Sequence, residues 1–134
     1  MTRARVVVAI DSDRYLCAEL TVMMGAVPDE QWERGSVYRT ATRDAHHRFS
    51  RWSVAEETRA DEDWEKPVER IIARLSPFES RFAALPPDVS ASFSVFLTED
   101  NDVFGFGLQR EHVAFIARIG AEFSMSVVVE RTSG

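Results

Sequence analysis

The clearest period in this chain is two: Phe93, Val95 and Leu97 alternate with Ser92, Ser94 and Thr98. Successive side chains of a strand point to opposite sides of a sheet, so this run predicts a strand with one apolar and one polar face. The pattern returns at the far end, where Phe123, Met125, Val127 and Val129 are set against Ser124 and Ser126. Elsewhere apolar residues recur at helical spacing. Strands that carry one apolar face need a layer of helices to cover it, and the fold class read from this combination is α+β.

Walking the chain gives the order. Val6 to Ile10 is a β-branched run without alternation, which predicts a strand covered on both faces. Ser12 or Asp13 is placed to cap a helix carrying Leu16, Leu20, Met23 and Met24, with Gly25 as its left-handed stop and Pro28 beyond. Gly35 opens an extended region through Val37 and Tyr38, and a polar stretch leads to Phe49–Val54, where Trp52 and Val54 share a strand face. The acidic segment Asp61–Glu65 and Pro67 start a helix with the stripe Val68, Ile71, Ile72 and Leu75. Ser76-Pro77-Phe78-Glu79 has capping-box spacing, so a second short helix, through Phe82 and Leu85, is expected to begin there. Glu99–Asp102 reads as the turn of a hairpin between the Phe93–Leu97 strand and one through Phe104, Phe106 and Leu108. Val113, Ile116 and Ile119 form the last helical stripe, ended by Gly120. A strand–helix–glycine–strand unit thus stands near each end. The expected architecture is a ferredoxin-like antiparallel sheet with helices on one face, pseudo-repeated halves and an inserted helical pair.

Composition bounds the rest. With 134 residues, 45 % of them apolar and 28 % charged, and no compositional break, residues 1–134 read as a single globular domain. Cys17 is the lone cysteine and has no internal disulfide partner, which fits a reducing compartment. Arg3 and Arg5 precede the apolar run Val6–Ile10, but five residues fall short of the roughly seven to fifteen of a secretory segment. A cytoplasmic protein without membrane contact is expected. Residues 1–60 balance nine arginines against nine carboxylates, whereas residues 61–134 set seven bases against thirteen acids and supply the net charge of −6. Such a balance argues against nucleic-acid binding, which rests on phosphate neutralisation, and suits a cationic partner.

Several of these signals occur in a fixed order: Leu20 through Gly25 at a helix end, then Pro28, Trp32 and Gly35, then Trp52 in its strand. The Val68–Leu75 helix running into Ser76-Pro77 follows, and a closing helix with Gly120 before an apolar strand completes the series. In this the chain resembles, from about Val6 to Glu130, the bacterial family called domain of unknown function 4279. It departs in having Ala26-Val27 before Pro28 and Glu130-Arg131 at the end of the last strand. The resemblance implies neither an activity nor a catalytic motif.

Residues 34 to 51 hold Arg34, Arg39, Arg43, Arg48 and Arg51 with His46 and His47, against only Asp44. Arginines grip phosphates and carboxylates by bidentate hydrogen bonds, and Tyr38, Phe49 and Trp52 stand near enough in sequence to wall an anion pocket. The expected ligand or partner site is therefore Arg39, Arg43, His46, His47, Arg48 and Trp52; a solvated arginine-rich loop is the plainer reading of the same residues. Adjacent histidines in a strand point apart, so His46, His47 and Asp44 are not read as metal ligands. The carboxylates of Asp61–Asp63 and Glu99–Asp102 read as helix lead-in and turn, and Gly105-Phe106-Gly107 lacks the rest of a phosphate loop. No nucleophile elbow or triad pattern is present, and no cofactor is implied. The sequence points to a non-catalytic binding or protein-interaction module of regulatory or immunity type. A binding protein or enzyme for an anionic small molecule, using the 34–52 region, is the alternative; homodimerisation through an exposed strand edge is the third.

Overall fold

The computed structural model describes residues 2–99 and 106–130. The centre of the molecule is strand β1 (Arg3–Ser12). It is followed by helix α1 (Cys17–Met24), the short strands β2 (Glu30–Trp32), β3 (Val37–Arg39) and β4 (Asp44–His46), and the long strand β5 (Ser50–Glu57). Helix α2 (Glu65–Leu75) runs through a 3-10 turn at Ser76–Phe78 into α3 (Glu79–Ala83), after which come β6 (Val89–Glu99), α4 (Arg110–Arg118) and β7 (Ala121–Val129). The principal sheet has the order β2-β5-β1-β6-β7, and β3 with β4 forms a separate two-stranded ribbon.

The alternation decides what is buried. Val6, Val8 and Ile10 of β1 align across the sheet with Val54 and Trp52 of β5 and with Val95, Phe93 and Ala91 of β6. All but Ala91 are fully or almost fully buried, and they join Leu20 and Met24 of α1, Val68, Ile71 and Leu75 of α2, Phe82 of α3, and Phe115 and Ile116 of α4 in one core. All the helices contribute to the core on this one side, in agreement with the expectation from sequence, and α2 packs directly on β1 and β5. None of the helices among the described residues is long and apolar enough to cross a membrane.

Four expectations are corrected. The sheet is not wholly antiparallel, because β7 runs parallel to β6. Parallel neighbours require a crossover connection, and α4 supplies it by carrying the chain back to the start of the sheet. The second strand–helix–strand unit, expected from Phe104 past Gly120, is not seen among the described residues, because Phe106 and Leu108 are not in a strand. Second, the strand expected through Phe106 and Leu108 is absent at these two residues, which lie in irregular backbone before α4 with Phe106 resting on Trp64 (centroids 4.4 Å apart); the rest of the expected hairpin, Asp100 to Phe104, lies outside the described residues. Third, β1 has helices on one face only. Its non-alternating apolar run reflects a central position, in which Ala9 is hidden by neighbouring strands and Val7 stays half-buried on the bare face. Fourth, α4 is rotated from the stripe expected of it, so Phe115 and Ile116 are buried while Val113 is 52 % exposed.

Local chemistry closes the elements. Gly25 (φ +68°) and Gly120 (φ +67°) stop α1 and follow α4 in the left-handed region, which costs an L side chain energy and glycine nothing. Ser12 Oγ accepts the N–H groups of Arg14 and Tyr15, while Glu19 accepts the N–H of Leu16 at 3.1 Å at the start of α1. Ser76 does not cap α3; its hydroxyl donates back to the Ile72 carbonyl at 2.7 Å. Arg74 of α2 grips Asp29 through two bonds of 2.6 and 2.7 Å, and Asp29 also accepts the N–H of Ala55 at 2.9 Å. That one carboxylate joins α2, the approach to β2 and the strand β5.

Trp52→Ala should cost about 3–5 kcal/mol of stability in chemical denaturation because it empties the core. Trp32→Ala, on the bare face, should cost about 1 kcal/mol. Arg74, then the Ala55 N–H, holds Asp29 below its ordinary 3.8 against the opposing effect of burial. The unfolded chain therefore takes up this proton first, so the pair's contribution is present above about pH 4 and is lost as pH falls through the folded value. Asp29→Asn should flatten the fall in melting temperature below pH 4, measured by scanning calorimetry across pH 3 to 6.

Candidate functional site

Among the described residues no helix covers the opposite face of the sheet, here the bare face, and its chemistry follows from the off-phase residues of each strand. One row across all five strands reads Glu30, Ser53, Ala9, Ser92, Glu122. The next reads Ala55, Val7, Ser94, Ser124, with the two serine hydroxyls 2.9 Å apart. Small side chains in adjacent rows make a low floor, and larger ones at both ends raise walls. The result is a shallow groove of about 350 Å³.

At one end Arg51 holds Asp11 by bonds of 2.6 and 2.8 Å. Its guanidinium lies 4.9 Å from the Trp32 ring centroid and 5.5 Å from that of Phe49. Trp32 stacks on His47 (4.6 Å, 12°), and Tyr38 tilts onto the same imidazole at 4.4 Å. The wall is thus a pile of flat groups. It is built because β2 pairs Trp32 with Arg51 while the β3–β4 ribbon folds Tyr38 and His47 over it. The indole N–H of Trp32 is buried without an acceptor among the described residues. At the other end Arg5 meets Glu30 at 3.1 Å and Glu57 at 3.2 Å, beside Phe96, which is 46 % exposed.

Both groove arginines are therefore already paired. Hydrogen bonding to Asp11 raises the pKa of Arg51 against the opposing effect of burial, so its guanidinium keeps its charge. The guanidiniums of this surface are thus matched by carboxylates.

Residues 2–130 match the family model described as a domain of unknown function, DUF4279. The chain belongs to this family. No curated protein and no solved structure matches it at a significant level.

The residues expected to form a site are dispersed. Arg39 ends β3, Arg43 lies in the turn of the ribbon, and Arg48 follows it; all three are exposed, with no carboxylate in ion-pair range among the described residues. His46 is also exposed, with Nδ1 3.0 Å from the Gly35 carbonyl, and points away from His47, which joins the aromatic wall. Trp52 does not line the site. It is fully buried on the helix side and donates its indole N–H to the Ala26 carbonyl at 3.1 Å, because Arg51 and Trp52 are consecutive and must point to opposite faces. Trp32 takes the place expected for it. Sequence reasoning passed over Ser92, Ser94, Phe96 and Arg5; their signal was the off-phase of the strand alternation, in which a large Phe96 interrupts small residues.

The other candidates have structural duties. Glu62 accepts the Arg59 N–H and pairs with Arg70 at 2.6 Å, while Asp63 accepts the N–H of Trp64. Asp100–Asp102 and Gly105 lie outside the described residues. No three of His, Cys, Asp or Glu converge for a metal among the described residues. Cys17 donates its thiol to the Trp32 carbonyl at 3.0 Å, and its backbone N–H meets the Glu33 carboxylate at 3.0 Å. Burial, then the Glu33 carboxylate, pushes this thiol up to about 11. It is protonated at pH 8, so an aromatic disulfide reagent should leave Cys17 unmodified in the native protein and label it fully in denaturant, read by absorbance.

Proposed function

We propose that this chain is a non-catalytic binding module that engages another protein through the bare face of its sheet. The observation that carries the reading is the arrangement of Trp32, Arg51 and Phe96 around a floor of serine and alanine. Aromatic and arginine anchors beside small residues are the composition of interface hot spots. A shallow, already neutralised groove suits a surface that presses onto a partner better than a pocket that encloses a substrate and excludes water. The net charge of −6 favours approach by a cationic partner. Regulation or neutralisation of that partner in a bacterial cytoplasm, as an immunity-type inhibitor would do, rests on analogy between small domains of this kind.

A second reading draws support from one feature. Arg39, Arg43, Arg48 and His46 make the β3–β4 ribbon a positive projection on an acidic body, and an anionic ligand would gather there. The geometry supports it less, since these side chains spread over an exposed ribbon and do not converge.

Native co-purification at low salt, with eluted proteins identified by mass, tests both. One stoichiometric partner is expected with the wild-type chain. Ser92→Tyr fills the groove and should abolish its retention while changing stability by no more than about 0.5 kcal/mol. Retention unchanged by Ser92→Tyr but lost in Arg39→Ala with Arg43→Ala would move the interface to the ribbon.

A further inference from the structure

Neutralising the arginines of the bare face leaves carboxylate in excess there. Arg51 is matched by Asp11, and Arg3 by Glu130 at 3.3 Å. Arg5 has two partners: it holds Oε1 of Glu30 and Oε1 of Glu57, while Oε2 of each has no donor among the described residues. That trio keeps one negative charge, and both of its carboxylates are exposed. Arg5 itself lies beside the exposed ring of Phe96. Glu122 is also exposed and has no ion pair among the described residues. The face is thus negative at two places. They are the ends of one row, Glu30, Ser53, Ala9, Ser92, Glu122, which crosses all five strands. Four strand spacings separate the ends by roughly 19 Å, and the floor between them is alanine and serine.

We infer that the partner lays across this row a segment that is basic at two points, one for each end. The inference rests on the reading of the bare face as the partner surface, and charge complementarity selects the occupant. At the β2 end a guanidinium or ammonium group bonds the free oxygens of Glu30 and Glu57, with its stem against Phe96. A cation beside an exposed aromatic ring gains a further attraction, and the long stem of a basic residue covers apolar surface. At the β7 end Glu122 takes the second cation. Small side chains in the middle of the row let the backbone of the segment pass over the floor. An extended chain advances ~3.3 Å per residue, so basic residues about six apart reach both ends and residues about two apart reach only one. An acidic segment meets like charge at both ends and is rejected.

Nuclear magnetic resonance of the isotope-labelled chain at low salt tests the proposal with the blocked peptide acetyl-Arg-Gly-Ser-Gly-Ser-Gly-Arg-amide. Saturable shifts are expected at Arg5, Glu30, Phe96 and Glu122. Acetyl-Arg-Gly-Arg-amide should bind about fivefold more weakly, and the long peptide with glutamate in both arginine positions should not bind. Glu30→Gln with Glu57→Gln, both exposed, should weaken the long peptide by about fivefold while the fold persists. Glu69→Gln with Glu111→Gln removes the same charge from the helices and should leave its affinity within about twofold. Equal losses in the two charge variants, shifts that gather elsewhere, or no binding of the long peptide overturn the inference. Equal binding of the long and short arginine peptides overturns the two-point geometry. A co-purifying partner that is lost in Ser92→Tyr but kept by Glu30→Gln with Glu57→Gln leaves the interface on this face and overturns its basic occupant. A partner kept by both overturns the interface itself.

Discussion

Burial of one face of β1 organises this molecule. Val6, Val8 and Ile10 are wholly removed from water; Val8 and Ile10 are flanked by apolar side chains of both β5 and β6, and Val6 by Val95 of β6. Each such residue stabilises the fold by roughly 1.5–3 kcal/mol relative to exposure, so three in a row with their neighbours fix which side of the sheet the helices must cover. Sliding either ladder by one residue would turn Trp52, Phe93 and Val95 to the solvent side, which is why the register is tightly specified. The ion pairs tighten this arrangement from outside: Arg70 ties α2 to Glu62 and the end of β5, and Arg74 ties it to Asp29.

The bare face is the consequence of the same choice. With every helix committed to one side, the off-phase residues of the strands carry no helix and include the small side chains Ala9, Ser53, Ser92 and Ser94. Ser53, Ala9, Ser92 and Ser94 leave the floor low, and the ends rise because Arg51, Trp32 and Phe96 stand where the floor stops. Pairing Arg51 with Asp11, and Arg5 with Glu30 and Glu57, lets two guanidiniums lie over an apolar surface without a bare charge.

Much of this was legible in the linear chain where a local rule dominates. Alternation marked β6 and β7, the stripe Val68–Leu75 marked α2, Gly25 and Gly120 marked ends, and the break at Ser76-Pro77 appears as the turn between α2 and α3. The misreadings came where non-local pairing overrides local pattern. Phe104, Phe106 and Leu108 alternate as a strand would, yet Phe106 packs on Trp64 and β6 takes β7 as its neighbour instead. The arginine-rich segment drew the eye because its residues are close in sequence, but a two-stranded ribbon turns consecutive side chains apart, so of the six expected only His47 reaches the aromatic wall.

The sequence by itself determined the α+β class, the helix-covered side of the sheet, the family and the acidic balance, because periodicity, glycine stops and composition are local properties. Only the tertiary structure decided that β7 runs parallel to β6 and lies open at the edge, and that Trp32, not Trp52, faces the groove. Those facts depend on which strands lie side by side. Residues as distant as Arg5, Glu30, Arg51 and Phe96 become one surface only when four strands are placed in register.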